Sequence, residues 1–287
     1  MARSVYDVAT ALGAMTGADA DDSATAASEG HSQTDYTQYL KVGALKGVRI
    51  GIARDFMGKD AGTDAVVESA IATLKGLGAV VVDPVKYPEH LLQAKQPVYN
   101  LLVSSEFKAQ ITDYLKTTGP QFPKSFDDLV SLANDPKTGY RSPEKAYALK
   151  YTAALALDLN DPVYLALKNE TLASVRASIA ALFAKYQLDA IVYPTVPKPA
   201  TLIVPDTPPK PVGPTDSAVS IANETGCPDL IVPAGMTNDG LPVTISFFGP
   251  AWSEPRLLAY GYDFEQASKA IRRPKTTPPL AGDSISF

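Results

Sequence analysis

Val48-Arg49-Ile50-Gly51-Ile52-Ala53, entered through Lys46-Gly47, is a short apolar run that reads as a buried strand. After it, Val66, Val67, Ala70, Ile71, Leu74 and Leu77 recur at the spacing that puts side chains on one face of a helix. Gly76 and Gly78 close that helix, and Ala79 to Val82 supply a second apolar run. Strand, helix and strand so close together make a βαβ unit, whose crossover is right-handed and whose strands are parallel. The segment therefore sets the fold class as α/β.

Toward the amino terminus, Ser4 followed by Asp7 resembles a capping box, and Val5, Val8, Leu12 and Met15 keep helical spacing over about residues 4 to 16. Residues 17–35, rich in Asp, Ser, Ala and Thr, read as a long surface loop. Residues 89–186 read as mainly helical, with Leu172, Val175, Ile179, Leu182 and Phe183 as the clearest amphipathic stretch. Pro97, Pro123, Pro136, Pro143 and Pro162 are expected to break this region into several helices. Ala190 to Tyr193 is a strand ending at Pro194, and the proline-crowded residues 194–214 form a second surface loop. Leu230 to Val232 and Val243 to Phe248 read as strands joined across Thr237-Asn238-Asp239-Gly240, where Asp-Gly favours a hairpin-like turn. A last helix starts near Glu254 and carries Leu257, Leu258, Gly261, Phe264 and Ile271. The chain contains no internal repeat.

Bulk properties exclude several functions. Apolar residues make up 45% and charged residues 20% of the 287, which suits a globular chain with a real core. A net charge of −5, with both signs interspersed, provides no footprint for nucleic acid and no basic face for an anionic membrane. No apolar run approaches the roughly 20 residues of a membrane span. Met1-Ala2-Arg3-Ser4 does not open a signal peptide, so the expectation is a soluble chain of bacterial type, cytoplasmic or periplasmic. The one cysteine, Cys227, and the two histidines, His31 and His90, make no metal-ligand cluster, and neither metal nor cofactor is expected.

Hydrolytic chemistry by serine needs a base beside the hydroxyl and N–H donors facing the developing oxyanion. Ser104-Ser105 lies in a helical stretch without glycines and reads as a partly exposed helix face. There is no G-x-S-x-G elbow. His31, in the polar loop, and His90, at a helix start, read as solvated residues, and Cys227 as a small buried thiol. Gly47-x-x-x-Gly51 lacks the ending of a phosphate loop, and Gly76-Leu77-Gly78 follows a helix instead of opening one. Asp19, Asp21 and Asp22 lack the glycine and distal glutamate of a calcium loop.

Several segments taken in order resemble the amidase-signature family. They are Met1 to Asp7, Leu45 to Gly51, Asp189-Ala190-Ile191-Val192-Tyr193-Pro194-Thr195, and above all Asn223-Glu224-Thr225-Gly226-Cys227-Pro228, continuing through Val232-Pro233-Ala234-Gly235 to Gly240-Leu241-Pro242-Val243. The resemblance implies one α/β domain over 1–287, a mixed sheet with helices on both faces, incomplete on its amino-terminal side. It implies hydrolysis of an amide to carboxylate and amine or ammonia by two serines and a lysine. No Gly-Gly-Ser-Ser run occurs here, so no catalytic residue carries over. The expectation is a truncated, carboxy-terminal and inactive portion of such an enzyme. Tyr193, Thr195, Asn223 and Cys227 are expected to line its cleft for a small-molecule amide, and 89–186 to set substrate specificity. Self-association through an uncovered sheet edge is expected as well. The competing readings are a non-catalytic binding module or pseudoenzyme using the residual cleft, and a subunit of an amidotransferase.

Overall fold

The computed structural model describes residues 1–139, 142–201 and 219–272. They group into two compact units, one of residues 1–87, 180–200 and 219–272, the other of the described residues of 88–179 with 201. Of the proline-crowded 194–214, the part beyond residue 201 lies outside the described residues.

The first unit is built on a five-stranded mixed sheet of order β2-β1-β3-β5-β4. β1 (Arg49–Ile52) lies between β2 (Val80–Val82) and β3 (Ala190–Pro194) and is parallel to both. β5 (Pro242–Phe248) is antiparallel to β3 and to β4 (Asp229–Met236). The βαβ reading thus holds, with α2 (Ala61–Gly76) as the crossover. The side chain of Asp60 accepts the N–H of Thr63 and caps α2, a bond of the kind that stabilises a helix by about 1 kcal/mol. Ser4 does the same for α1 (Val5–Met15), accepting the N–H of Asp7.

Register assigns the two faces of the sheet. Ile50, Ile52, Val192, Ile245, Phe247 and Val232 point to one side, and join Val67, Ile71 and Leu74 of α2 and Leu257, Leu258 and Phe264 of α9 (Glu254–Ser268) in one core. Each of these large side chains contributes about 1.5–3 kcal/mol on leaving water. Ile191, Tyr193, Ser246, Phe248, Asp229 and Ile231 alternate to the other side. There Phe183 packs against Phe248, and Phe56 against both Tyr193 and Tyr87. α9 ends at Lys269 in a left-handed conformation, so Ile271 lies past the helix that was expected to carry it.

β4 runs four residues beyond the Val232 that the sequence marks as its end. Pro233 is tolerated because β4 is an edge strand, and the register shifts between Pro233 and Gly235 to absorb the irregularity. Within 17–35 the chain makes a 3-10 turn over Ser23–Ser28, capped by Asp22. His31 at the end of this stretch stacks on Trp252, with ring centroids 4.4 Å apart and an interplanar angle of 10°.

The second unit is helical: α3 (Glu89–Lys116), α4 (Phe126–Asn134), α5 (Pro143–Leu155), α6 (Pro162–Ala166) and the first part of α7 (Leu172–Tyr186). Pro143 and Pro162 sit in the first turns of α5 and α6, where a missing N–H costs nothing. Pro97 does not break its helix and lies inside α3. An interior proline costs about 3 kcal/mol. Burial of Val98 and Leu102 beside it, against Tyr164 and Leu172, opposes that cost. Ser104 and Ser105 are both buried, where a partly exposed helix face was expected. Ser105 donates to the Leu101 carbonyl at 2.8 Å and accepts the N–H of Leu157 at 3.0 Å.

Candidate functional site

The sheet face opposite the main core carries a polar cluster made by three strands. Tyr193 on β3, Ser246 on β5 and Asp229 at the start of β4 all point to this face because each strand alternates and the registers hold them in phase. The Tyr193 hydroxyl crosses β5 and donates to Asp229 Oδ2 at 2.7 Å. Just past β3, the Thr195 hydroxyl lies 3.0 Å from that of Ser246, and both residues are buried. Tyr87 closes the cluster from the segment after β2. Its N–H donates to Asp55 at 3.0 Å, and its ring meets Phe56 edge-on at 5.4 Å.

Burial dominates the electrostatics here. It pushes the Asp229 carboxyl above the ordinary carboxylate range, opposed by the Tyr193 and Ser246 hydroxyls. Burial and the charge of Asp229 drive the phenols of Tyr87 and Tyr193 well above their usual range, so both are protonated donors around neutral pH. Two polar atoms are buried without a protein partner: the Tyr87 hydroxyl and Asp229 Oδ1. Such a group costs about 1–3 kcal/mol when nothing satisfies it.

The four residues singled out in the sequence are placed unequally. Tyr193 and Thr195 lie in the cluster, joined through Ser246. Cys227 is half-buried in the turn before β4, less enclosed than expected, and its N–H donates to Thr225 Oγ1 at 3.3 Å. α8 (Val219–Thr225) stops just before it, at Gly226, whose φ of 70° is left-handed and ends the helix. Asn223 is exposed on α8. Asp229, Tyr87 and Ser246 were not anticipated. Strand alternation would have found Ser246 once β5 was registered on β3. Asp229 reads in sequence as a turn residue, and Tyr87 as part of a connection.

The cluster offers hydrogen-bond donors and one carboxyl whose hold on its proton burial strengthens. Ser246 divides its hydrogen bonding between the Thr195 hydroxyl and the Tyr193–Asp229 pair. Among the described residues no group of His, Cys, Asp and Glu side chains is arranged to hold a metal ion, and no helix is long and apolar enough to cross a membrane.

Comparison with known proteins places these features in context. Residues 1–258 match the family model described as Amidase. The chain is 32% identical over 279 residues to the A subunit of glutamyl-tRNA(Gln) amidotransferase from Caldanaerobacter subterraneus subsp. tengcongensis, covering 95% of this chain and 54% of that protein. The native peptide amidase of Stenotrophomonas maltophilia superposes with a TM-score of 0.79 at 34% identity, over 95% of this chain and 53% of that one. An amidase family protein from Bacillus anthracis shares the fold, with a TM-score of 0.75 at 24% identity, over 96% of this chain and 49% of that one. The chain spans about half the length of the relatives it matches.

Proposed function

The chain belongs to the amidase family, and from that premise we propose that it forms the substrate-binding wall of a hydrolase that splits an amide carbon–nitrogen bond into carboxylate and amine or ammonia. The carrying observation is the superposition on peptide amidase across nearly the whole chain, at an identity high enough to speak of more than fold. Tyr193, Thr195, Asn223 and Cys227 line the cleft in this reading, with Tyr193 and Thr195 fixed by the hydrogen bonds that surround them. Residues 89–186 set the choice of substrate.

The nucleophile, its base and the oxyanion donors come from outside these residues in this reading. Support comes from the serines weighed above: Ser104 is buried in α3, Ser105 is held there by the Leu101 carbonyl and the Leu157 N–H, and Ser246 is engaged by Thr195 and the Tyr193–Asp229 pair. Hydrolysis of small amides by the 287-residue chain, followed as ammonia release, is expected to stay at the uncatalysed rate. Turnover that vanished on replacing one of its serines would overturn the proposal. Small amides are also expected to raise the melting temperature through binding; a flat thermal-shift response to all of them would speak against a cleft.

A second reading, in which the chain serves an amidotransferase, draws on the likeness to the glutamyl-tRNA(Gln) amidotransferase sequence. It differs in the fate of the ammonia, which would pass to a partner instead of solvent. Release into bulk at the rate of substrate consumption by the assembled enzyme would set it aside.

A further inference from the structure

Where α1 begins and α9 ends, the first unit holds a cavity of about 570 Å3. Four charged side chains line it: Asp7 of α1, Glu265 of α9, Lys269 at the end of α9, and Arg272 just beyond. Among the described residues these two acids and two bases form no ion pair; the ion pairs present join other residues. Asp7 Oδ2 accepts the Ser4 hydroxyl at 2.8 Å, and Glu265 Oε1 accepts the N–H of Val5 at 3.0 Å. Lys269 Nζ donates to Gln266 Oε1 at 2.8 Å, and Arg272 donates to the carbonyls of Lys269 and Ile271. Glu265 is buried, whereas Asp7, Lys269 and Arg272 are exposed and open to a ligand. Tyr6 and the half-buried Tyr262 add two aromatic rings to the lining, and Tyr6 is 55% exposed.

Opposite charges that share one opening without pairing suit a ligand that carries both signs. A simple anion would meet Asp7 as well as Arg272, and a simple cation would meet Lys269 and Arg272 as well as Asp7. A dipolar molecule satisfies both at once. The volume falls within the roughly 300–1,000 Å3 of small-molecule sites, and the two rings favour an apolar group beside the charged ends. We propose that this cavity binds a short peptide with both ends free, its ammonium on Asp7, its carboxylate on Arg272 and Lys269, and an apolar side chain against Tyr6 and Tyr262. A guanidinium suits the carboxylate end because its fork presents two N–H groups to two oxygens. Glu265 plays a different part: its bond to the Val5 N–H ties α9 to the start of α1 and so joins the two walls of the cavity. The site shares no residue with the sheet face assigned to the substrate amide, and the proposal does not rest on that assignment.

Titration of the 287-residue chain with phenylalanyl-alanine, its amino-acetylated form and its carboxamide form, followed by ligand-detected NMR, tests this. Blocking either end is expected to weaken binding about three- to tenfold, the worth of one charge-assisted contact at an exposed site. D7N should weaken the free dipeptide by a similar factor and leave the acetylated form unchanged. R272Q should weaken the free dipeptide likewise and leave the carboxamide form unchanged. D7N keeps an oxygen for the Ser4 hydroxyl, and a damaged fold would lower all three ligands together, so the matched losses report the contacts themselves. Equal binding of all three ligands, an equal loss of all three in either variant, or no binding by the parent chain would overturn the proposal. A dipeptide seated on the substrate face would keep its affinity in both variants, a result that removes this site and leaves that face standing.

Discussion

The Asp263 carboxylate accepts the backbone N–H of Leu45 at 2.9 Å, and its second oxygen accepts that of Gly43 at the same distance. Asp263 lies on α9 and is completely buried, so a single side chain anchors the approach to β1. Replacing it with asparagine turns an N–H₂ group toward one of two buried N–H donors. Asp263→Asn is expected to cost about 1.5–3 kcal/mol, measured as a lower urea midpoint at unchanged m-value. A midpoint within error of the parent would show that these bonds contribute nothing.

Asp229 gives the chain a pH signature. Its carboxyl lies above its unfolded value, so the folded state holds the proton more tightly than the unfolded chain does. The resulting stabilisation is complete below the unfolded value of about 3.9 and is lost as pH rises through the raised folded value. Urea unfolding of the parent and of Asp229→Asn across that window should show the parent gaining on the variant as pH falls. A gap that stays constant or narrows would contradict the burial argument.

Gly51 lies on β1, an interior strand of the sheet, with no room for a side chain. A Cβ there would come within 2.7 Å of both Leu188 Cδ1 and Val85 Cγ2, and both neighbours are buried. Gly51→Ala should therefore destabilise by about 1–3 kcal/mol through overpacking, read from thermal or urea unfolding. An alanine as stable as glycine would mean that Leu188 and Val85 move aside freely.

Among the described residues β2 and β4 each have one strand neighbour, and Ile231 of β4 is 48% exposed. Exposed edges recruit further strands. The 287-residue chain is expected to self-associate in light scattering, and Ile231→Lys to reduce that association. A monodisperse, thermally robust monomer would argue that these edges are inert.

The parts of the fold set by local periodicity were readable in advance. The β1-α2-β2 unit, the cap at Ser4 and the helix at Glu254 each follow from spacing or from a capping side chain, and all are present. Readings failed where tertiary packing overruled local preference. Pro97 stays helical beside a buried Val98 and Leu102. Pro233 stays in a strand because the edge of the sheet asks no hydrogen bond of it. The polar cluster was half visible: Tyr193 and Thr195 came from the resemblance, but Asp229 is 36 positions from Tyr193 and joins it only through the antiparallel register. No window of sequence contains that relationship.

Trp252 is the sole tryptophan of the chain, and His31 lies flat against it. The protein thus carries an optical gauge for the segment ending at His31: the emission of its single indole reports whether that ring is stacked or bare, with no dye or label required.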